Sequence, residues 1–195
     1  MSICLPIFFL LSRFWPALRR VLLVAVAGFM GIVLETILIL FYQAKHGVLY
    51  QDIGILLMSF MAGLALGSMT INQWMVRLIH RRKPARWSGV VLLIGFGLLC
   101  LIITTTITLS ASSGLFQASL LLAAVGLLVA GIFAYVSLYE IQDQKSVISS
   151  LYAADLIGGC AGSILAGLIL IPVAGIELLT TRAMVVLAVF SILLV

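Results

Sequence analysis

Long apolar blocks alternate with short polar breaks along almost the whole chain. Apolar residues dominate 21–43, 52–75, 88–110, 115–139, 147–171 and 176–195. Each block is close to the ~20 residues that cross a hydrocarbon core as a helix. The breaks carry Lys45, His46 and Gly47; then Arg77 to Arg86; then Ser112-Ser113-Gly114; then Glu140 to Ser146; then Pro172 and Gly175. Clusters of glycine, proline and polar residues are where such helices stop. The pattern predicts an all-α integral membrane protein, a six-transmembrane-helix bundle over 21–195. Residues 1–20 read differently. The apolar stretch Ile3–Leu11 is short, and Arg13, Arg19 and Arg20 follow it rather than precede it. A secretory signal has the opposite order. With Phe14 and Trp15 suited to headgroup level, 1–20 is expected to be an N-terminal interfacial segment.

Composition strengthens the membrane reading. Of 195 residues, 64% are hydrophobic and 9% charged, where soluble domains are about half apolar and a quarter charged. Six spans leave no length for a soluble catalytic domain. The net charge of +5 would suggest nucleic acid in a soluble protein. Here its distribution matters more. Arg13, Arg19, Arg20, Arg77, Arg81, Arg82, Lys83, Arg86 and Lys145 fall on one side of the predicted bundle, and only Lys45 and Arg182 on the other. Basic loops stay in the cytoplasm, so both termini are expected there, with the protein in the cytoplasmic (inner) membrane. An even number of spans requires the same. Arg77, Arg81, Arg82, Lys83 and Arg86 are then placed to meet anionic lipid headgroups. The expected partners are the bilayer and other membrane proteins, or a second copy of the chain, and not nucleic acid.

Small residues recur at the spacing that lets helix backbones approach. Gly63 and Gly67 form one GxxxG; Gly158 and Gly162 form another, with Ser163 and Gly167 behind it. Such pairs favour close packing in lipid. They occupy the second and fifth spans, equivalent places in two three-helix halves, which predicts a 3+3 inverted repeat. The chemistry-bearing candidates are few. Glu35 lies about 14 residues into the first span, or ~21 Å along a helix axis, on the outer side of the midplane. A carboxylate there must face protein or water. It reads as a proton or cation site, or as half of a structural pair with Arg182. Asp155, about two turns into the fifth span, reads as a cation acceptor, or as a residue that caps or breaks the helix. The two carboxylates are expected ~10 Å apart in depth, as separate sites. Thr104, Thr105, Thr106 and Thr108 are expected to bond back to helix carbonyls. His46 and His80 fall on opposite sides of the membrane and cannot share a metal. Cys4, Cys100 and Cys160 form no CxxC pair or disulfide framework. No phosphate-binding, zinc-protease or nucleophile-elbow motif occurs. No cofactor, metal or catalytic residue is expected.

Two stretches carry a resemblance: GFMGIVLETILILFYQAKHGVLYQDIGILLMSFMAGLALGS at 28–68 and LYAADLIGGCAGSILAGLILIPVAGI at 151–176. With Glu35, the Phe60–Ser68 block and the Tyr152–Gly159 block in matching order, they resemble the membrane region of spermidine-synthase-like integral membrane proteins. The resemblance implies a fold like half of a major-facilitator protein. The basic loop after the second span departs from that pattern: Asn72 and Gln73 stand where an acidic residue is expected. The soluble aminopropyltransferase-type domain of those proteins has no counterpart here, so neither the activity nor any catalytic residue carries over. The resemblance implies a membrane module whose enzymatic partner is missing or supplied by another protein. The expected function is an accessory or anchoring subunit of a membrane complex rather than an enzyme. The alternative is a small secondary transporter of cations, polyamines or protons acting as a dimer.

Overall fold

The computed structural model describes residues 16–47, 50–80, 86–108, 114–138 and 144–172. These are helical almost throughout: α1 Pro16–His46, α2 Tyr50–His80, α3 Arg86–Thr108, α4 Leu115–Leu138 and α5 Gln144–Leu165, the last running on into a π-helical turn, Ala166–Leu170. All five helices are long and apolar enough to cross a membrane. The expected sixth span at 176–195, with Arg182, lies outside the described residues, as do 1–15 and the loop residues Arg81, Arg82 and Lys83.

The helix ends follow local chemistry. Pro16, which has no N–H to lose, opens α1. The helix therefore starts inside the stretch read as interfacial, and 16–20 already belong to it. Lys45 and His46 occupy its last turn, where cations suit the carbonyl end of the dipole. Gly47 then takes φ +84° and donates its N–H to the Gln43 carbonyl at 2.9 Å. This left-handed close is the glycine signature of a helix C-terminus. Asp52 sits in the first turn of α2, next to the helix's positive end. α2 continues to His80 and so includes Arg77, and α3 begins at Arg86; both basic residues extend helices rather than lying in the loop between them.

Packing is dominated by two helix pairs, α2 with α4 and α1 with α5, while α1 also touches α4. The core is apolar, with Val24, Val33, Leu34 and Ile37 of α1, Leu122 and Val125 of α4, and Phe96 and Ile103 of α3 among its fully buried side chains. α2 and α5 turn much of their surface outward. The GxxxG glycines face these two partners, not each other. A Cβ at Gly63 or Gly67 would strike the backbone carbonyl of Ala123 or Leu127 in α4; one at Gly158 or Gly162 would strike that of Ala25 or Phe29 in α1. Numbers rise together across both seams, so each pair runs parallel. That is what alternating crossings demand of helices two or four places apart. The pairs also interlock in return: Gly126 of α4 lies against the Phe60 carbonyl, and Gly28 of α1 against the Asp155 carbonyl.

Candidate functional site

The α1–α5 seam holds both intramembrane carboxylates. Glu35 is buried, only 8% exposed. Its helix spans Arg20–His46, which puts it within one turn of the centre, slightly beyond it. Position 35 belongs to the stripe Gly28, Gly31, Ile32, Glu35, spaced as neighbours on one helix face. Gly28 on that stripe meets Asp155, Ile32 lies against Gly159, and Gly31 lies against Val129. Glu35 therefore follows the groove between α5 and α4. Among the described residues its carboxyl makes no hydrogen bond or ion pair. A charged carboxylate at a helix centre costs about 3 kcal/mol or more in lipid, so one with no partner among the described residues calls for an explanation.

Asp155 sits inside α5 and neither caps nor breaks it. Its side chain lies against Gly28, whose missing Cβ leaves it room; a helix that packs at backbone contact needs no alternative partner to hold its line. α5 begins at Gln144, earlier than expected, so Asp155 stands about three turns in. Gly28 precedes Glu35 by two turns, so the carboxylates are separated by about 10 Å along the seam. They form two stations on one seam, not one pair. The side chain of Asp155 is partly exposed, unlike that of Glu35.

Other candidate residues distribute as follows. At Gly167, also expected to pack, nothing among the described residues lies within 4 Å of a Cβ built there. Ala166, four residues beyond Gly162, is fully buried; Gly167, next to it in the π turn, is exposed. The threonines behave as expected. Thr104 donates to the Cys100 carbonyl at 2.8 Å, Thr105 and Thr106 to that of Ile102 at 2.9 and 2.7 Å, and Thr108 to that of Thr104 at 3.0 Å. Cys100 is buried and Cys160 exposed, and both are free thiols. Among the described residues no three His, Cys, Asp or Glu side chains come together as a metal set.

Two features were not anticipated. The first is a junction between α1 and α2: the Tyr42 hydroxyl donates to Asp52 Oδ2 at 2.8 Å, and its ring stacks on His46 with centroids 4.6 Å apart. A tyrosine and an aspartate ten residues apart, flanking a Lys-His-Gly break, were the available signal. The second is the π-helical turn Ala166–Leu170, closed by the Ile171 N–H on the Ala166 carbonyl, for which the sequence carries no marker. It packs on α1, and the register set by Gly158 and Gly162 brings its start level with Val33 and Glu35. Against known proteins the chain stands by itself: no family model, no curated protein and no solved structure matches it.

Proposed function

We propose that this chain is a polytopic subunit with an accessory or anchoring role in a membrane complex, organised as a 3+3 inverted repeat of six spans with both termini in the cytoplasm. One observation carries the role. α5 has a second small-residue face: Ala153, Cys160 and Ser163 share one side of the helix and are exposed, and Gly167, in the π turn that follows, is exposed as well. In lipid, such a face favours another helix over acyl chains. The repeat draws support from the interlocked pairs. One shift in numbering carries Phe60, Gly63 and Gly67 of α2 onto Asp155, Gly158 and Gly162 of α5. A second carries Ala123, Gly126, Leu127 and Val129 of α4 onto Ala25, Gly28, Phe29 and Gly31 of α1. Val129 and Gly31, equivalents under that shift, touch each other, as residues near a two-fold axis do. Equivalent helices cross in opposite senses, which makes the repeat inverted. The likeness of 28–68 and 151–176 to the membrane region of spermidine-synthase-like proteins points the same way, toward a membrane module that serves an enzyme.

The test is affinity purification in mild detergent. Stable co-purification of other membrane proteins, kept in Glu35→Gln and lost in Gly167→Leu, is the expected result. A chain that purifies alone overturns the accessory role. The second reading, a dimeric transporter of cations, polyamines or protons, is favoured by the buried Glu35, which has no partner among the described residues. Gradient-driven uptake in liposomes, abolished by Glu35→Gln, would establish it in place of the first.

A further inference from the structure

The repeat supplies an internal control for its own polar residues. On the α2–α4 seam the equivalent of Asp155 is Phe60, and the equivalent of Glu35 is Phe133. The segment equivalent to the π-helical turn, 71–75, is ordinary α-helix within α2. Three departures from the shared pattern thus fall together on one seam: two phenylalanine positions become carboxylates, and one regular turn becomes a π turn. Such widened turns are rare and occur often at functional sites. Nothing in helix packing asks for them here, because the sister seam closes through the same glycine-on-carbonyl contacts without them.

We infer that the α1–α5 seam is a binding site for a small monovalent cation, a proton or Na⁺, with Glu35 as its buried ligand and Asp155 as the group that passes the cation inward. Glu35 is more than nine-tenths buried and has no hydrogen-bond or ion-pair partner among the described residues; either cation would neutralise it. Asp155 is partly exposed and lies on α5 against Gly28 of the same α1 stripe. Among the described residues the other charged and titratable groups around Glu35 are few, and Arg182, the partner expected from the sequence, lies outside them. α4 carries no Asp, Glu, Lys, Arg or His, only Tyr135 near its end. α5 contributes Asp155, with Lys145, Tyr152 and Cys160 farther off. The carboxylate of Asp52 in α2 is engaged by Tyr42, and α3 presents the Cys100 thiol. Selecting this seam rests on the proposed repeat, but not on either functional reading.

The experiment is infrared difference spectroscopy on the full chain in lipid nanodiscs, through pH steps, in H₂O and D₂O, and in NaCl against KCl. In the proton case a protonated-carboxyl band appears, shifts in D₂O, and is lost in Glu35→Gln but not in Asp52→Asn; Asp155→Asn keeps the band and slows its exchange. In the sodium case that band is absent. Na⁺, unlike K⁺, then perturbs the carboxylate bands and raises the melting temperature, and Glu35→Gln loses both effects. Spectra that Glu35→Gln leaves unchanged in every condition, with the variant folded as judged by size-exclusion and melting, overturn the inference. So does an Asp155→Asn protein whose cation response matches the parent in rate and extent. Co-purification does not enter these readouts, so this site and the accessory role stand or fall separately.

Discussion

At the scale of single residues, the most informative groups are those that touch something a substitution would remove or strike. Tyr42 is one. Its hydroxyl is the described side-chain hydrogen bond linking α1 to α2, and removing it leaves the Asp52 carboxylate short of a donor. A bond to a charged acceptor contributes about 1.5–3 kcal/mol. Tyr42→Phe should lower stability by about that much. Asp52→Asn should cost less, and the double variant should cost less than the sum, measured by thermal unfolding in detergent. Glycine gives a sharper contrast. At Gly158 an added Cβ meets the Ala25 backbone carbonyl, whereas at Gly54 it meets nothing within 4 Å. Backbone atoms cannot step aside as a flexible side chain can. Gly158→Ala should therefore cost about 1–3 kcal/mol as an overpacked contact. Gly54→Ala should be neutral or stabilising by up to about 1 kcal/mol, from helix propensity alone.

At the scale of elements, each of α2 and α5 has one face committed to a neighbour and one turned outward. The committed faces are the GxxxG stripes on α4 and α1. The outward faces are largely apolar, with Met58, Met61 and Met69 on α2 and Ile157, Ile164 and Leu168 on α5 all exposed. In water this would be a liability; in lipid it is the expected solvent-facing surface. Small residues interrupt both outward sides: Gly54, Ala62, Ala65 and Ser68 on α2, and Ala153, Cys160 and Ser163 on α5, are exposed. Gly167→Leu should fill the outward side of α5 and prevent partner association while leaving the melting temperature of the isolated chain within a degree or two, since among the described residues no neighbour lies within 4 Å of a Cβ there. A large loss of stability instead would place Gly167 in the fold of the chain itself. The π turn also belongs to this scale. It rotates the end of α5 relative to a straight helix, so the side chains after Leu165 cannot be placed on a face by counting in steps of 3.6.

For the whole molecule, the alternation of five long apolar helices predicts which loops share a side. Lys83, between α2 and α3, and Gly47, between α1 and α2, should lie across the membrane from each other. In intact cells a membrane-impermeant thiol reagent should label Gly47→Cys directly and Lys83→Cys only after permeabilisation, with Cys4, Cys100 and Cys160 replaced. Direct labelling of Lys83→Cys, with Gly47→Cys labelled only after permeabilisation, would reverse the orientation drawn from the basic residues, and direct labelling of both would overturn the alternation. The membrane class, the approximate bounds of five spans, the burial of Glu35 and the close approach at Gly63, Gly67, Gly158 and Gly162 were legible in the sequence, because burial in lipid imposes length and hydrophobicity on a segment before any contact forms. Glu35 stood out for the same reason: a charge costs energy in hydrocarbon wherever its helix packs. The tertiary structure alone decided that α2 pairs with α4 and α1 with α5, that Gly28 makes room for Asp155, that Ala166 rather than Gly167 continues the seam, and that a π turn lies level with Glu35. Those outcomes depend on which helix faces meet and at what register. In lipid, hydrophobicity is nearly equal on all sides of a helix, so close backbone contact, and not the apolar pattern, makes that choice.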